Sequence, residues 1–184
     1  MAYMQKEFQL ATGLRGKDTH FSRKKRKDIA SHVSRALKKH PHRMRQLPIG
    51  DVFRSIGSGN ATLIYENTGS KSKGSLAAFA HVIPGMNESG QFEDGVVEIG
   101  AVVTLAAERN GYAKRAVLTS VEKAKKLGAK KIKTLVHVEN IEANGLMRKL
   151  AGEPVQTRPS NYVREVDGTK AEMNEYVLWK AENV

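Results

Sequence analysis

Residues 96–127 read VVEIGAVVTLAAERNGYAKRAVLTSVEKAKKL. A β-branched apolar run ends there in a turn marked by Gly111, with the small Ala113 just beyond it, and a basic amphipathic helix follows. The first backbone N–H groups of a helix have no intrahelical partner and carry the positive end of its macrodipole. A glycine-opened junction of this kind is an anion site, and a phosphorylated cofactor is the first inference.

Downstream of the junction, 112–127 places Ala113, Ala116, Val117, Val121, Ala124 and Leu127 on one helix face, and Gly128 supplies a stop. A buried strand follows over 130–138. The next helix, 140–150, opens at Asn140, a residue suited to capping an N-terminus, and closes near Gly152, Glu153 and Pro154. Two late strands, 162–166 and 175–180, can pair. Upstream, 96–106 is a long central strand reached through a Gly, Pro and Asn rich connection over 84–95. Before it lie a strand at 75–83, a polar hairpin loop at 67–74, a strand at 61–65 and a turn at 57–60. A short helix covers 49–56. Ahead of it, Ile29, Val33, Ala36 and Leu37 recur at helical spacing, with Ser22 and Asp28 near the start and His40-Pro41 at the end. Residues 7–14 read as a first short strand. Strand, helix, strand, helix, strand, strand in the second half predicts an α/β fold with a mixed sheet covered by helices, and no internal repeat is evident.

The chain has 184 residues, 40% of them hydrophobic, enough for one core. We therefore expect a single domain over 1–184, with a basic helical segment at about 15–56 as part of it. There is no cysteine, which excludes disulfides, thiolate catalysis and cysteine metal sites and fits a reducing, cytoplasmic setting. The opening MAYMQKEFQLATG lacks the order of a secretory signal. No run approaches the roughly 18 apolar residues of a membrane-spanning helix, so no membrane partner is expected.

Charge is unevenly placed. Of the net +12, residues 1–50 carry +10, and the densest run is Arg23, Lys24, Lys25, Arg26 and Lys27. Such a surface attracts nucleic acid or an acidic protein through a salt-screened field; a solvated helix face is the competing reading. Phe21 is nearly the only aromatic nearby, a poor stacking platform for single strands. A homodimer is compatible with the sequence.

Two blocks resemble the GNAT superfamily of acetyl-CoA-dependent N-acetyltransferases. Its loop pattern, Val-x-Pro-x-x-(Arg or Gln)-Gly-x-Gly-(Ile or Leu)-(Gly or Ala), falls on residues 103–113. Val103, Gly111 and Ala113 match, while Leu105 stands at the proline position and Glu108 at the Arg or Gln position. About thirty residues on, Val-x-x-x-Asn-x-x-Ala-x-x-Leu-Tyr-x-Lys finds Val136, Asn140, Ala143, Leu146 and Lys149 in register, with Met147 in place of the tyrosine. Two ordered motifs at the right separation carry the resemblance over about half the chain.

The resemblance implies a GNAT-like mixed, mostly antiparallel central sheet flanked by helices, with a splayed cofactor cleft. It implies that acetyl-CoA lies along the backbone of Val102, Val103, Thr104 and Leu105, where an extended arm pairs like an added strand. Arg109, Asn110, Gly111, Tyr112, Ala113 and Lys114 would hold the pyrophosphate, with Arg115 adding charge, and Asn140 would bond the cofactor's amide or sulfur end. The implied activity is transfer of an acetyl group to an amine, the acceptor being open. Glu98 on the central strand and His137 on the next are the candidate bases, and His81 has the same standing as His137. Met147 cannot donate the proton that the usual tyrosine gives the leaving thiolate. With Glu108 also departing from the pattern, a catalytically reduced acyl-CoA-binding or nucleic-acid-binding regulatory module of the same fold is the alternative. No His and carboxylate pair shows metal-ligand spacing.

Overall fold

The computed structural model describes residues 21–39, 47–66, 75–105, 110–163 and 170–182. The expected first strand at 7–14 and hairpin loop at 67–74 lie outside them. Within them are four helices, α1 (Arg23–Leu37), α2 (Ile49–Gly57), α3 (Tyr112–Lys126) and α4 (Ile141–Ala151), and six strands. The strands are β1 (Ala61–Tyr65), β2 (Leu76–Met86), β3 (Phe92–Thr104), β4 (Lys131–His137), β5 (Gln156–Val163) and β6 (Lys170–Lys180). They form one sheet in the order β1-β2-β3-β4-β6-β5. Only the β3–β4 pair is parallel, because α3 carries the chain over the sheet between them; every other neighbour is antiparallel.

Strand alternation divides the core into two layers. Ala78, Ala80, Val82, Val97, Ile99, Ile132, Val136 and Tyr176 pack with Ala116, Val117 and Val121 of α3 and Met147 of α4. Phe79 and Val103 pack on the other side with Ile29, Val33 and Leu37 of α1 and Val52 and Ile56 of α2. Each helix thus buries the stripe its sequence spacing provides. The α3 and β1 layers are joined by a buried hydrogen bond, 2.8 Å, from the Ser120 hydroxyl to that of Thr62.

Helix ends follow the sequence closely. The Ser22 hydroxyl accepts from Lys25 N–H at the start of α1, and the Asn140 side-chain oxygen accepts from Ala143 N–H at 3.1 Å at the start of α4. Gly128, at φ +88°, follows α3.

Three strand boundaries require correction, the simplest being β6, which starts at Lys170 rather than at the expected 175. The connection expected over 84–95 is mostly strand: β2 runs on through Pro84 to Met86 and β3 begins at Phe92. Pro84 is accommodated because the ladder breaks register between Pro84 and Met86, and proline is tolerated at such irregularities. A tight turn remains, in which Gln91 N–H donates to the Asn87 side chain at 2.9 Å and Gly90 adopts φ +77°. Likewise β5 starts at Gln156, six residues before the expected 162; its Pro159 sits on the outermost strand, where a missing N–H costs no ladder bond.

Gly85 has a steric duty in this hairpin. A Cβ there would stand 2.5 Å from Val96 Cγ1 and 3.1 Å from the Val96 carbonyl carbon. Gly85→Ala is therefore expected to lower stability by about 1–3 kcal/mol through overpacking, read as a lower urea midpoint with an unchanged slope.

Candidate cofactor cleft and acceptor face

Pairing between β3 and β4 is short. It covers Val96 with Lys131, Val97 with Ile132 and Glu98 with Lys133, and no further. The Thr134 hydroxyl donates to the Ile99 carbonyl at 2.7 Å, pinning the strands where the ladder ends. Beyond this point the two strands part. On its other side β3 stays paired to β2, but Phe79 opposes Val103 while His81 opposes Gly100, so β3 holds one extra residue between Gly100 and Val103. That bulge turns the backbone of Val102, Val103 and Thr104, and a bulged strand bends and twists. Val102 packs toward the α3–α4 layer and Val103 toward the α1–α2 layer. Leu105 N–H still donates to the Ala77 carbonyl at 2.8 Å. The splay thus presents the β4-facing edge of β3 along its last residues.

At the same end of β3, α3 begins. Gly111 is its N-cap residue, left-handed at φ 71°, ψ 9°, and no side chain caps the helix. A Cβ on Gly111 would meet nothing within 4 Å, so the turn faces open space. The first turn carries no acidic residue, while Lys114 and Arg115 are exposed. Asn110 is exposed and Tyr112 packs partly against the core. Arg109 falls among residues 106–109, outside the described ones. Uncapped N–H groups, an open left-handed glycine and two nearby cations fit a diphosphate.

Asn140 sits across the splay, at the end of β4. Its backbone N–H donates to the His137 carbonyl, and its side-chain oxygen is the α4 cap. The sequence reading missed its neighbour Asn144, 3% exposed. The Asn144 amide nitrogen donates to the carbonyls of His137 and Asn140, both at 2.9 Å. Its oxygen accepts from the Asn174 amide at 2.9 Å and the Tyr176 hydroxyl at 2.8 Å. This buried junction fixes α4 to the end of β4 and the middle of β6; burial raises the Tyr176 phenol above its ordinary pKa.

The candidate bases share the α1–α2 face. Glu98 lies between Val97 and Ile99, which point to the opposite layer, and belongs to the last β3–β4 pair before the splay. It is half-buried. His81 lies on the same face opposite Gly100, where an added Cβ would stand 3.0 Å from the His81 Nε2. His137 is buried further along β4, and its Nδ1 accepts the Glu139 N–H at 3.2 Å. In the neutral ring that hydrogen bond puts the proton on Nε2. Met147 is buried in the α3–α4 layer at 3% exposure.

Beside Glu98 lies an ionic cluster that the sequence did not reveal. Lys133, 2% exposed, donates to Glu93 at 2.9 Å and to the Met86 carbonyl at 2.6 Å, and its Nζ stands 3.7 Å from Glu175. Glu175 also pairs with Arg158 at 3.2 Å and Lys131 at 3.6 Å. Burial alone would raise the Glu175 carboxyl, but Lys133, Lys131, the Gln156 amide and Arg158 hold it below the usual carboxylate range. Among the described residues no group of three or more metal-ligating side chains is found, and no helix is long and apolar enough to cross a membrane.

Residues 35–152 match the family model described as Acetyltransferase (GNAT) family. No curated protein matches the chain by sequence. Among solved structures, yncA of Salmonella typhimurium with its cofactor acetyl-CoA is similar at a TM-score of 0.62 and 11% identity, over 89% of this chain and 94% of that one. NAA60 of Arabidopsis thaliana in complex with a bisubstrate analogue gives 0.58 and 14%, over 80% and 92%. The ribosomal-protein-S18-alanine N-acetyltransferase of Escherichia coli gives 0.54 and 14%, over 85% and 93%. The shared mixed sheet bears out the fold class expected from the two sequence motifs.

Proposed function

This chain belongs to the GNAT acetyltransferase family, and on that premise we propose that it transfers the acetyl group of acetyl-CoA to the nitrogen of an amine. The observation that carries the reading is the parting of β3 and β4 directly after the Glu98–Lys133 pair, with the uncapped, glycine-opened start of α3 at the same end. Acetyl-CoA, the family's co-substrate, supplies the acetyl thioester. The backbone of Val102, Val103, Thr104 and Leu105 offers an edge for its extended arm. Asn110, Gly111, Tyr112, Ala113 and Lys114 hold phosphate oxygens through amides and charge, with Arg109 preceding them in the loop and Arg115 alongside. Asn140 stands at the mouth of the cleft as a further polar contact.

On the opposite face, Glu98 takes the proton that the amine must lose as its nitrogen bonds to the acetyl carbon and the carbon–sulfur bond breaks. His137 is the second candidate, disfavoured by the Glu139 N–H on its Nδ1. The leaving thiolate receives its proton from solvent or another group, since Met147 has none to give. Glu98→Gln should lower kcat by about a hundredfold or more while the CoA-induced rise in melting temperature persists. An unchanged kcat with peptide or small-amine acceptors would remove Glu98 from the role.

The acceptor we favour is an amine carried by a macromolecule with an acidic surface, a protein amino group or a ribosomal or tRNA-bound amine, in a cytoplasmic setting. Arg23, Lys24, Lys25 and Lys27 are exposed on α1. Arg26 turns inward, its guanidinium 5.0 Å from the centre of the Phe53 ring. A fold neighbour named for acetylating a ribosomal protein supports this acceptor class. Buried Met147 favours a second reading, a binding module with reduced chemistry. Acetyl transfer no faster than the uncatalysed reaction, with CoA bound, would select it.

A further inference from the structure

We propose that the groove between α1 and α2 docks an acidic protein segment that carries an apolar anchor. The groove is open to solvent and has a volume of about 500 Å³. Arg23, Lys24 and Lys27 line one side and Ile49 and Phe53 the other, with Ala30 buried between them. Ile49 is 48% exposed, one of four large exposed apolar side chains among the described residues. Phe53 is held from behind by Arg26, whose guanidinium also fills the space beside Gly57.

The walls are therefore apolar and the potential positive. Arg23 and Lys27 stand one helical turn apart, so their charges suit spaced carboxylates rather than a single one. The first turn of α1 holds no acidic residue, and α2 begins at Ile49 and Gly50 with no side-chain cap on Pro48. Ser22 caps α1, and the first turn of α2 carries Asp51, paired with Arg54, so the positive potential of the groove comes from the Arg23, Lys24 and Lys27 side chains. A nucleic acid would satisfy the cations but leave Ile49 unmatched, and a lone phenyl ring is no platform for successive bases. An acidic peptide with one Leu or Phe side chain matches both halves of the surface. The inference rests on the reading of the basic run as a partner surface and is independent of chemistry in the splay.

The test uses full-length protein and three fluorescein-labelled probes: a peptide of Asp and Glu flanking one Leu and one Phe, the same peptide with Ser in place of Leu and Phe, and single-stranded polyuridine RNA. Anisotropy at several salt concentrations is expected to show the first peptide binding at least about tenfold more tightly than the second. Ile49→Asp should weaken it about tenfold. Lys24→Gln with Lys27→Gln should weaken it and flatten the salt dependence, whereas Lys25→Gln, outside the groove lining, should change little. All variants should keep the CoA-induced rise in melting temperature, which also reports their folding. Equal binding of both peptides, no binding of either, or indifference to Ile49→Asp overturns the proposal. RNA binding tighter than the peptide, with Lys25 counting as much as Lys24, overturns it in favour of a nucleic-acid surface. A normal peptide pattern in a protein that ignores CoA would instead overturn the acetyltransferase reading and leave the docking site standing.

Discussion

CoA should no longer raise the melting temperature of the Gly111→Glu variant. A ligand present at a hundred times its Kd stabilises the native state by about 2.7 kcal/mol, and for a chain of this size each kcal/mol moves Tm by about 2–4 °C. The wild type should therefore gain about 5–10 °C. Glutamate at position 111 places an anion in the space the phosphates need and forces a side chain into φ +71°. With nothing within 4 Å of the new Cβ, the apo protein should lose only the left-handed backbone penalty, about 1–2 kcal/mol. Scanning fluorimetry and calorimetric titration read both quantities, and retained CoA binding in the variant would move the phosphate site elsewhere.

Glu175→Ala should damage the stability of the sheet as much as truncation of a core aromatic would. It removes the carboxylate shared by Arg158, Lys131 and Lys133, and stripping one partner from a buried ion pair costs about 3–5 kcal/mol, or roughly 6–20 °C in Tm. Lys130→Ala is the control: its bond to Asp94 joins side chains 72% and 77% exposed, and its loss should be hard to measure. The folded-state pKa of Glu175 lies below its ordinary value, so its stabilisation is complete above the unfolded carboxylate pKa, about 4.3, and disappears as pH falls through the folded value. The gap in stability between wild type and Glu175→Ala should therefore narrow on acidification below about pH 4. A gap constant down to pH 2 would contradict the ionic account.

The sequence was most legible where a structural need is met within one turn of chain. Gly111, the Asn140 cap, Gly128 and the apolar stripes of α1 and α3 depend on neighbours three or four residues away, and all were placed. Pro84 and Gly85 misled because their fit depends on Val97 and Val96, across a strand pair whose register no local pattern specifies. Lys133 was unreadable for the same reason: its partners Glu93 and Glu175 are about forty residues away in either direction. The face of Glu98 was open to a one-residue ambiguity that only the ladder with Ile83 and Lys133 resolves. Asn144 gave no signal because its five hydrogen bonds join three elements that meet only in the folded chain.

The parting of β3 from β4 also bears on solubility. Among the described residues the splay adds to the margins of the sheet two more that face each other in its middle. The outermost of the described strands are guarded in ordinary ways, by the brevity of β1 and by Pro159 on β5. The inner ones, residues 100–104 and 134–137, contain no proline, lysine or carboxylate. What restrains them is local: Thr134 is tied to the Ile99 carbonyl where the ladder ends, and α3 and α4 pack on the face of the sheet beside them. Bare strand edges invite pairing with another chain, so widening the splay by loss of the Thr134 hydroxyl should show as self-association before it shows as unfolding.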